Sequence, residues 1–228
     1  MNPLKHLLPR GRGPRTVWSG LLAGVRLQLD LRQGEFALWT GLFEREIFPE
    51  IRRLVLGARS IIDLGAAKGD LTVWALLQPG IERVVAVEPL ASECAQLRAN
   101  LELNNLGSDP RLQVHAGFAG SGTGPEWRTL DELMEGRPAP LFIKIDIDGP
   151  EAEVLATGHR TLANEDCRLL IETHSPEAEM ACIKQLTQLG YQARIVYPAW
   201  WRVILPEHRP IHHNRWLSAW RNRAPAAP

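Results

Sequence analysis

The spacing of hydrophobic positions changes repeatedly along this chain. VRLQLDL (25–31) alternates behind a turn at Ala23-Gly24, which predicts a small β-hairpin over Leu21–Leu31. From Phe36 to Leu56 the apolar positions Leu38, Leu42, Phe43, Ile47, Ile51 and Leu54 fall near a 3.6-residue repeat and predict a helix. A regular alternation follows. SIIDL (60–64), RVVAVE (83–88), RLQVH (111–115), LFIKIDI (141–147) and RLLIETH (168–174) read as strands. Residues 69–78, 91–104, 150–162 and 176–189 read as helices, with Gly107 as a stop for the second. A Gly-rich loop spans 117–124. YQARIVY (191–197) and WRVIL (201–205) read as a closing pair of strands. Only Pro198, Ala199 and Trp200 separate them, too few for a crossover, so they are expected to be antiparallel.

Strands alternating with helices imply a parallel sheet covered on both faces. The expected fold is α/β: a Rossmann-like, doubly wound, mostly parallel seven-stranded sheet ending in an antiparallel hairpin, with a small N-terminal β-hairpin and helix. The expected organisation is an irregular segment 1–18, hairpin and helix 19–57, a Rossmann-like core 58–206 and a basic, Trp-containing tail 207–228. A ligand in such a sheet sits at the carboxyl ends of the strands.

Composition narrows the function classes. The chain has 228 residues, 45% hydrophobic, with 26 Lys+Arg against 26 Asp+Glu. That supports one core and argues against a nucleic-acid partner. The ends are biased: residues 1–29 and 208–228 contain no acid. They are expected to be solvated basic ends, and with Trp200, Trp201, Trp216 and Trp220 they leave a peripheral membrane contact open. Trp216 and Trp220, four apart, are expected to dock a C-terminal helix, with Trp200 and Trp201 in or beside the last hairpin. His208, His212 and His213 lack thiol partners for a structural zinc site. Cys94, Cys167 and Cys182 form no disulfide framework, and the N-terminus lacks a secretory h-region, so a cytoplasmic location is expected. No run is apolar enough to span a bilayer.

The loop Asp63-Leu64-Gly65-Ala66-Ala67-Lys68-Gly69-Asp70 carries the candidate chemistry. It follows a strand and opens a helix, and Glu88 ends the next strand, where a carboxylate can accept from both hydroxyls of a ribose. A nicotinamide site shares that plan but needs a second glycine for backbone to reach a pyrophosphate. Ala67 stands there instead. S-adenosylmethionine carries no phosphate and has no such requirement, and Asp63 can pair with its ammonium group.

LFIKIDI is polar where a central strand should be apolar. Leu141, Ile143, Ile145 and Ile147 share one face; Lys144, Asp146 and Asp148 share the other. Glu172 and His174 repeat the theme on the next strand. Buried charges must be paired or line a cavity, so Lys144 is expected to pair with Glu172, and Asp146 and His174 to face the cleft. Asp146 and His174, with Lys144, are the catalytic candidates, as groups at the cleft that can position an acceptor and handle its proton. Asp146, Asp148, Glu172 and His174 are also a potential ligand set for a divalent cation, which is not expected.

Taken in order, GLLAGVRLQLDL, WTGLFEREI with Gly41 and Glu44, IIDLGAAKGD, VVAVEP, LRANLELN, TLDEL, LFIKIDIDGPEAEVL and IETH resemble the FkbM-like methyltransferases over about residues 19–205. The chain departs from that pattern at Ala67-Lys68, Asp148 and Pro150. The resemblance implies a class I fold and O-methylation with S-adenosyl-L-methionine as donor, on a small molecule, sugar, glycan or natural product. The candidate donor site is Asp63, Gly65, Ala66, Gly69, Glu88, Pro89 and Glu44. Two other readings are carried: a binding or scaffold protein that keeps the fold without chemistry, and a nicotinamide-dependent oxidoreductase.

Overall fold

The structure, a computed structural model, describes residues 8–198 and 213–221. Strands β1 (Gly13–Thr16) and β2 (Arg26–Leu29) pair antiparallel. Helices α1 (Phe36–Thr40) and α2 (Phe48–Val55) follow, then β3 (Ser60–Leu64), α3 (Asp70–Leu76), β4 (Arg83–Val87), α4 (Ala91–Leu103) and β5 (Leu112–His115). The two-residue strands β6 (Phe118–Ala119) and β7 (Trp127–Arg128) lead to α5 (Leu130–Met134) and β8 (Leu141–Ile145). The chain continues through α6 (Glu151–Ala156), α7 (His159–Asn164), β9 (Cys167–Thr173), α8 (Pro176–Gln188), β10 (Gln192–Val196) and β11 (Arg215–Trp220).

Seven strands form the main sheet in the order β10-β11-β9-β8-β3-β4-β5. The five from β9 to β5 are mutually parallel, and β11 runs antiparallel to both its neighbours. Alternate residues go to opposite faces. Ile61, Val84, Phe142 and Leu170 join one core, which includes α2 and the N-terminal hairpin; Ile62, Val85, Ile143 and Leu169 join the other. From β3 the chain winds one way to β4 and β5, then returns to β8 on the other side of β3. The crevice at the carboxyl ends of β3 and β8 is therefore the switch point where ligands bind.

Four expectations need correction. First, the outer arm of the hairpin is Gly13–Thr16, within the segment expected to be irregular. The open edge of β2 is closed by side chains of α4: Asn100 Oδ1 accepts from Gln28 N at 2.7 Å and Asn104 Oδ1 from Arg26 N at 3.0 Å. Second, 36–56 is not one helix. Gly41 ends α1 in the left-handed region, Glu44 is also left-handed, and α2 restarts with Pro49 in its first turn. Third, the helix expected over 150–162 breaks between α6 and α7. Asp131 caps the second piece, accepting from Thr161 N at 2.8 Å. TLDEL itself is a capping box, with Thr129 and Glu132 serving each other's backbone N–H groups.

The fourth correction concerns the C-terminus. WRVIL, Trp200, Trp201, His208 and His212 lie outside the described residues. The strand that pairs with β10 is β11, from the segment expected to be a tail with a docked helix. Positions four apart share a face in a strand as well as in a helix, so the spacing of Trp216 and Trp220 does not separate the two. Ser218 on β11 donates to the buried Glu50 of α2 at 2.8 Å, and Arg53 lies 4.0 Å over the Trp220 ring, which ties the inserted strand to the layer above. Among the described residues no helix is long and apolar enough to cross a membrane.

Candidate functional site

The loop after β3 is shaped by Gly65. It is left-handed at φ 73, and a Cβ there would lie 1.7 Å from the carbonyl oxygen of Asp146. Only glycine lets this loop press on the end of β8. Gly65 N and Ala66 N both donate to Val87 O at 3.0 Å, which fastens the loop to β4. Ala67 N then donates to Glu88 Oε2 and Leu90 N to Glu88 Oε1, each at 2.8 Å. Two backbone donors thus fix the Glu88 carboxylate, and each oxygen keeps a further lone pair.

Glu88 stands in a cavity of about 750 Å³ with Pro89, Leu90, Phe118 and Trp127 around it. The Phe118 and Trp127 rings stack at 4.8 Å, and a Cβ on Gly122 would lie 2.1 Å from the Trp127 ring, so the Gly-rich loop is folded tightly over that indole. The lining includes Glu88, Glu93, Asp146, Asp148 and Glu153 and, among the described residues, no basic side chain.

A second, inner cavity of about 440 Å³ opens beside it. Its apolar wall is Leu21, Leu22, Leu38, Ile47, Phe48 and Ile51, from the N-terminal hairpin turn, α1 and α2. Its polar side is the carboxyl edge of the sheet: Asp63, Lys144, Asp146, Glu172 and His174. Gly65, Ala67, Asp146 and Asp148 line both cavities.

The charges on that edge are organised around two groups. Lys144 Nζ lies 2.9 Å from Asp146 and 3.7 Å from Asp63 across the β3–β8 register. Burial alone would lower the Lys144 pKa; Asp146, then Asp63, outweigh it and hold the ammonium above its ordinary range. Burial would likewise raise Asp146, but Lys144 foremost keeps it below the usual carboxylate value. Asp63 is fully buried and accepts from Thr72 Oγ1 at 2.7 Å. Its Oδ1 has no hydrogen-bond donor among the described residues, and desolvation pushes its pKa up to about 6.

His174 is the second centre. Its Nδ1 is 2.5 Å from Oε1 of Glu151, a buried carboxylate that also accepts from Gly149 N at 2.8 Å. Its Nε2 faces the cavity, 3.2 Å from Asp148 and 3.7 Å from Glu172. Burial would lower the imidazole pKa; the hydrogen bond it donates to Glu151, with the charge of that carboxylate, outweighs it, so the net shift is upward.

Most of the sequence-derived candidates converge. Asp63, Gly65, Ala66, Glu44, Lys144, Asp146, Asp148, Glu172 and His174 line the inner cavity, and Glu88 and Pro89 line the outer one. Gly69 lines neither; a Cβ there would meet Leu97 at 2.7 Å, so its place is in the packing of α3 on α4. Lys144 pairs with Asp63 and Asp146, whereas Glu172 lies beside Asp146 and His174. Asp148 has a side chain 82% exposed and stands at the rim. Sequence reasoning missed Glu151, Glu35 and Trp127. Glu35 binds Lys68 and accepts from Asp30 N at 2.5 Å at the inner cavity. The glycines at 117, 120, 122 and 124 were the available signal for a loop built around an aromatic ring.

An acid-lined cavity thus opens onto a second cavity at the switch point of the sheet. Residues 107–193 match the family model of the methyltransferase FkbM domain, the group that the sequence motifs resemble. No curated protein matches the chain in sequence. Among solved structures, a methyltransferase FkbM from Methylobacillus flagellatus KT has a TM-score of 0.56 at 23% identity, over 72% of this chain and 44% of its own. The chain thus spans less than half the length of that protein. A precorrin-6y C5,15-methyltransferase from Geobacter metallireducens GS-15 has a TM-score of 0.52 at 16% identity, covering 78% of this chain and 87% of that one. A SAM-dependent O-methyltransferase from Thermotoga maritima has a TM-score of 0.53 at 15% identity, with coverages of 79% and 66%. These proteins share the fold.

Proposed function

We propose that the chain is an S-adenosylmethionine-dependent methyltransferase that acts on a hydroxyl of a small molecule or sugar-like acceptor. The observation that carries this reading is the outer cavity: Glu88 is fixed by two backbone donors, and among the described residues no basic side chain lines the space. A fixed carboxylate suits the two hydroxyls of a ribose. An acid-lined cavity with no cation disfavours the pyrophosphate of a dinucleotide, which needs donors and positive potential. Asp70 in the first turn of α3 adds to that preference. The donor residues fit a sulfonium amino acid as well, since the buried Oδ1 of Asp63, 3.7 Å from Lys144, has no hydrogen-bond donor among the described residues and an ammonium group would supply one. Bound there, the cofactor supplies an electrophilic methyl group.

The chain's own task is then to hold an acceptor and handle one proton. The inner cavity offers an apolar wall for the body of the acceptor and carries His174, while Asp146 stands where the two cavities meet. Glu151 fixes the imidazole from behind, so its Nε2 is turned toward an incoming hydroxyl. Lys144 keeps Asp146 ionised and in place. Release of the proton to Asp146 or His174 is general-base chemistry, typically a contribution of about 10²–10⁴-fold.

Calorimetric titration with S-adenosylhomocysteine tests the donor site, with NAD as the control. Micromolar binding of the former alone is expected, weakened at least about ten-fold by Glu88→Ala, since charged hydrogen bonds are worth about 1.5–3 kcal/mol. Equal binding of NAD, or an unaffected Glu88→Ala variant, would overturn the assignment.

A further inference from the structure

Several carboxyl groups gather at the carboxyl edge of the sheet. Asp63, Asp146, Glu151 and Glu172 are inward carboxyl groups, set against Lys144 and His174. Both Asp63 Oδ1 and Glu151 Oε2 are buried without a hydrogen-bond partner among the described residues. Lys144 serves Asp146 and Asp63. Beside them stands a group of three: one ligand atom each from Asp146, Glu172 and His174, all within 4.8 Å of one another. Two ionised carboxylates this close repel each other unless a cation or a proton lies between them. With Nδ1 committed to Glu151, the remaining imidazole nitrogen points its lone pair at the same carboxylates. Three Lewis-basic atoms converge on one point from two adjacent strands, at the wall of a cavity.

We propose that Asp146, Glu172 and His174 bind one divalent cation of the class that takes carboxylate and imidazole ligands, Mg²⁺ or Mn²⁺. Two oxygens and one nitrogen without a thiol suit that class. Glu151 is then the carboxylate behind the histidine that fixes the ring orientation and raises its basicity as a ligand. Three protein ligands leave coordination positions open toward the inner cavity, so the cation can take and orient the acceptor hydroxyl in place of the His174 Nε2, and the proton passes to a carboxylate oxygen that is not bound to the cation. This last role rests on the methyl-transfer reading; the cation site itself does not.

The test is titration of the full, metal-free chain with Mn²⁺, following loss of the free-ion electron paramagnetic resonance signal. Binding of S-adenosylhomocysteine by the metal-free protein is measured in parallel. One Mn²⁺ per chain at micromolar affinity is expected, displaced by Mg²⁺. Glu172→Gln and His174→Gln, shown to be folded by circular dichroism melting, should each weaken it roughly ten-fold or more, and Glu151→Gln on the order of 10–100-fold. No uptake below millimolar Mn²⁺ would overturn the proposal and leave a proton as the shared cation. Equal affinity in wild type and all three variants would overturn it too, placing the ion elsewhere. S-adenosylhomocysteine binding without Mn²⁺ uptake would reject the cation and keep the donor site; the reverse would reject the donor and keep the cation.

Discussion

Asp63 is held between Thr72 and Lys144 at the base of the inner cavity, and its burial leaves a measurable signature. Its ordinary pKa of 3.8 rises to about 6 in the folded chain. Between those values the folded state binds more protons than the unfolded one, so this group's contribution to stability falls as pH rises from about 4 to about 6. Asp63→Asn, which can still accept from Thr72, removes that slope. The stability of the variant relative to wild type should climb across the window and level off by pH 7, at about 2–3 kcal/mol. Chemical denaturation at several pH values measures it; a flat difference would return Asp63 to the ordinary carboxyl range. Gly65 bears on the same spot from the backbone. Gly65→Ala forces a Cβ into the Asp146 carbonyl at a left-handed position, and is expected to cost about 3 kcal/mol or more and to abolish S-adenosylhomocysteine binding. A variant with wild-type melting and affinity would show that the loop does not need this approach.

At the scale of elements, the site depends on how the N-terminal hairpin is pinned to the core. Asn100 is fully buried; it accepts from Gln28 N and donates to Lys68 O at 2.8 Å, joining β2, α4 and the loop after β3. Asn100→Ala leaves both backbone groups unmet and should cost about 1–3 kcal/mol. It should also raise hydrogen exchange at Arg26–Leu29 before the sheet opens; unchanged exchange there would mean that the hairpin is held by its apolar face alone. The same interface shows what a sequence displays and what it conceals. The β3-α3-β4-α4 unit was legible because each element is long enough for its period to declare itself, and Lys144 and Asp146 stood out because polar residues on a central strand have no ordinary explanation. The broken helices were not legible. Gly41 and Gly158 are compatible with a continuous apolar stripe until tertiary contacts choose otherwise. Nor was Glu151, which reads as a common first-turn acid and becomes the partner of His174 only when β9 is laid beside β8.

For the whole molecule, placement of the last strand matters most. Inserting β11 between β10 and β9 buries Trp216, Leu217 and Ala219 and carries Arg215 to Glu179 at 2.7 Å. The site-bearing strands therefore lie in the interior of the sheet, away from its edges, which suits groups that must be held within tenths of an ångström. The two cavities meet across this rigid edge, one acid-lined and aromatic, the other apolar with a charged side. We expect a single donor molecule to span them. The decisive measurement is a crystal structure of the full chain with S-adenosylhomocysteine. The ribose hydroxyls should lie on Glu88, the adenine beside Phe118 and Trp127, and the amino group at Asp63. A nucleoside bound away from Glu88, or one whose sulfur faces away from Asp146 and His174, would contradict it.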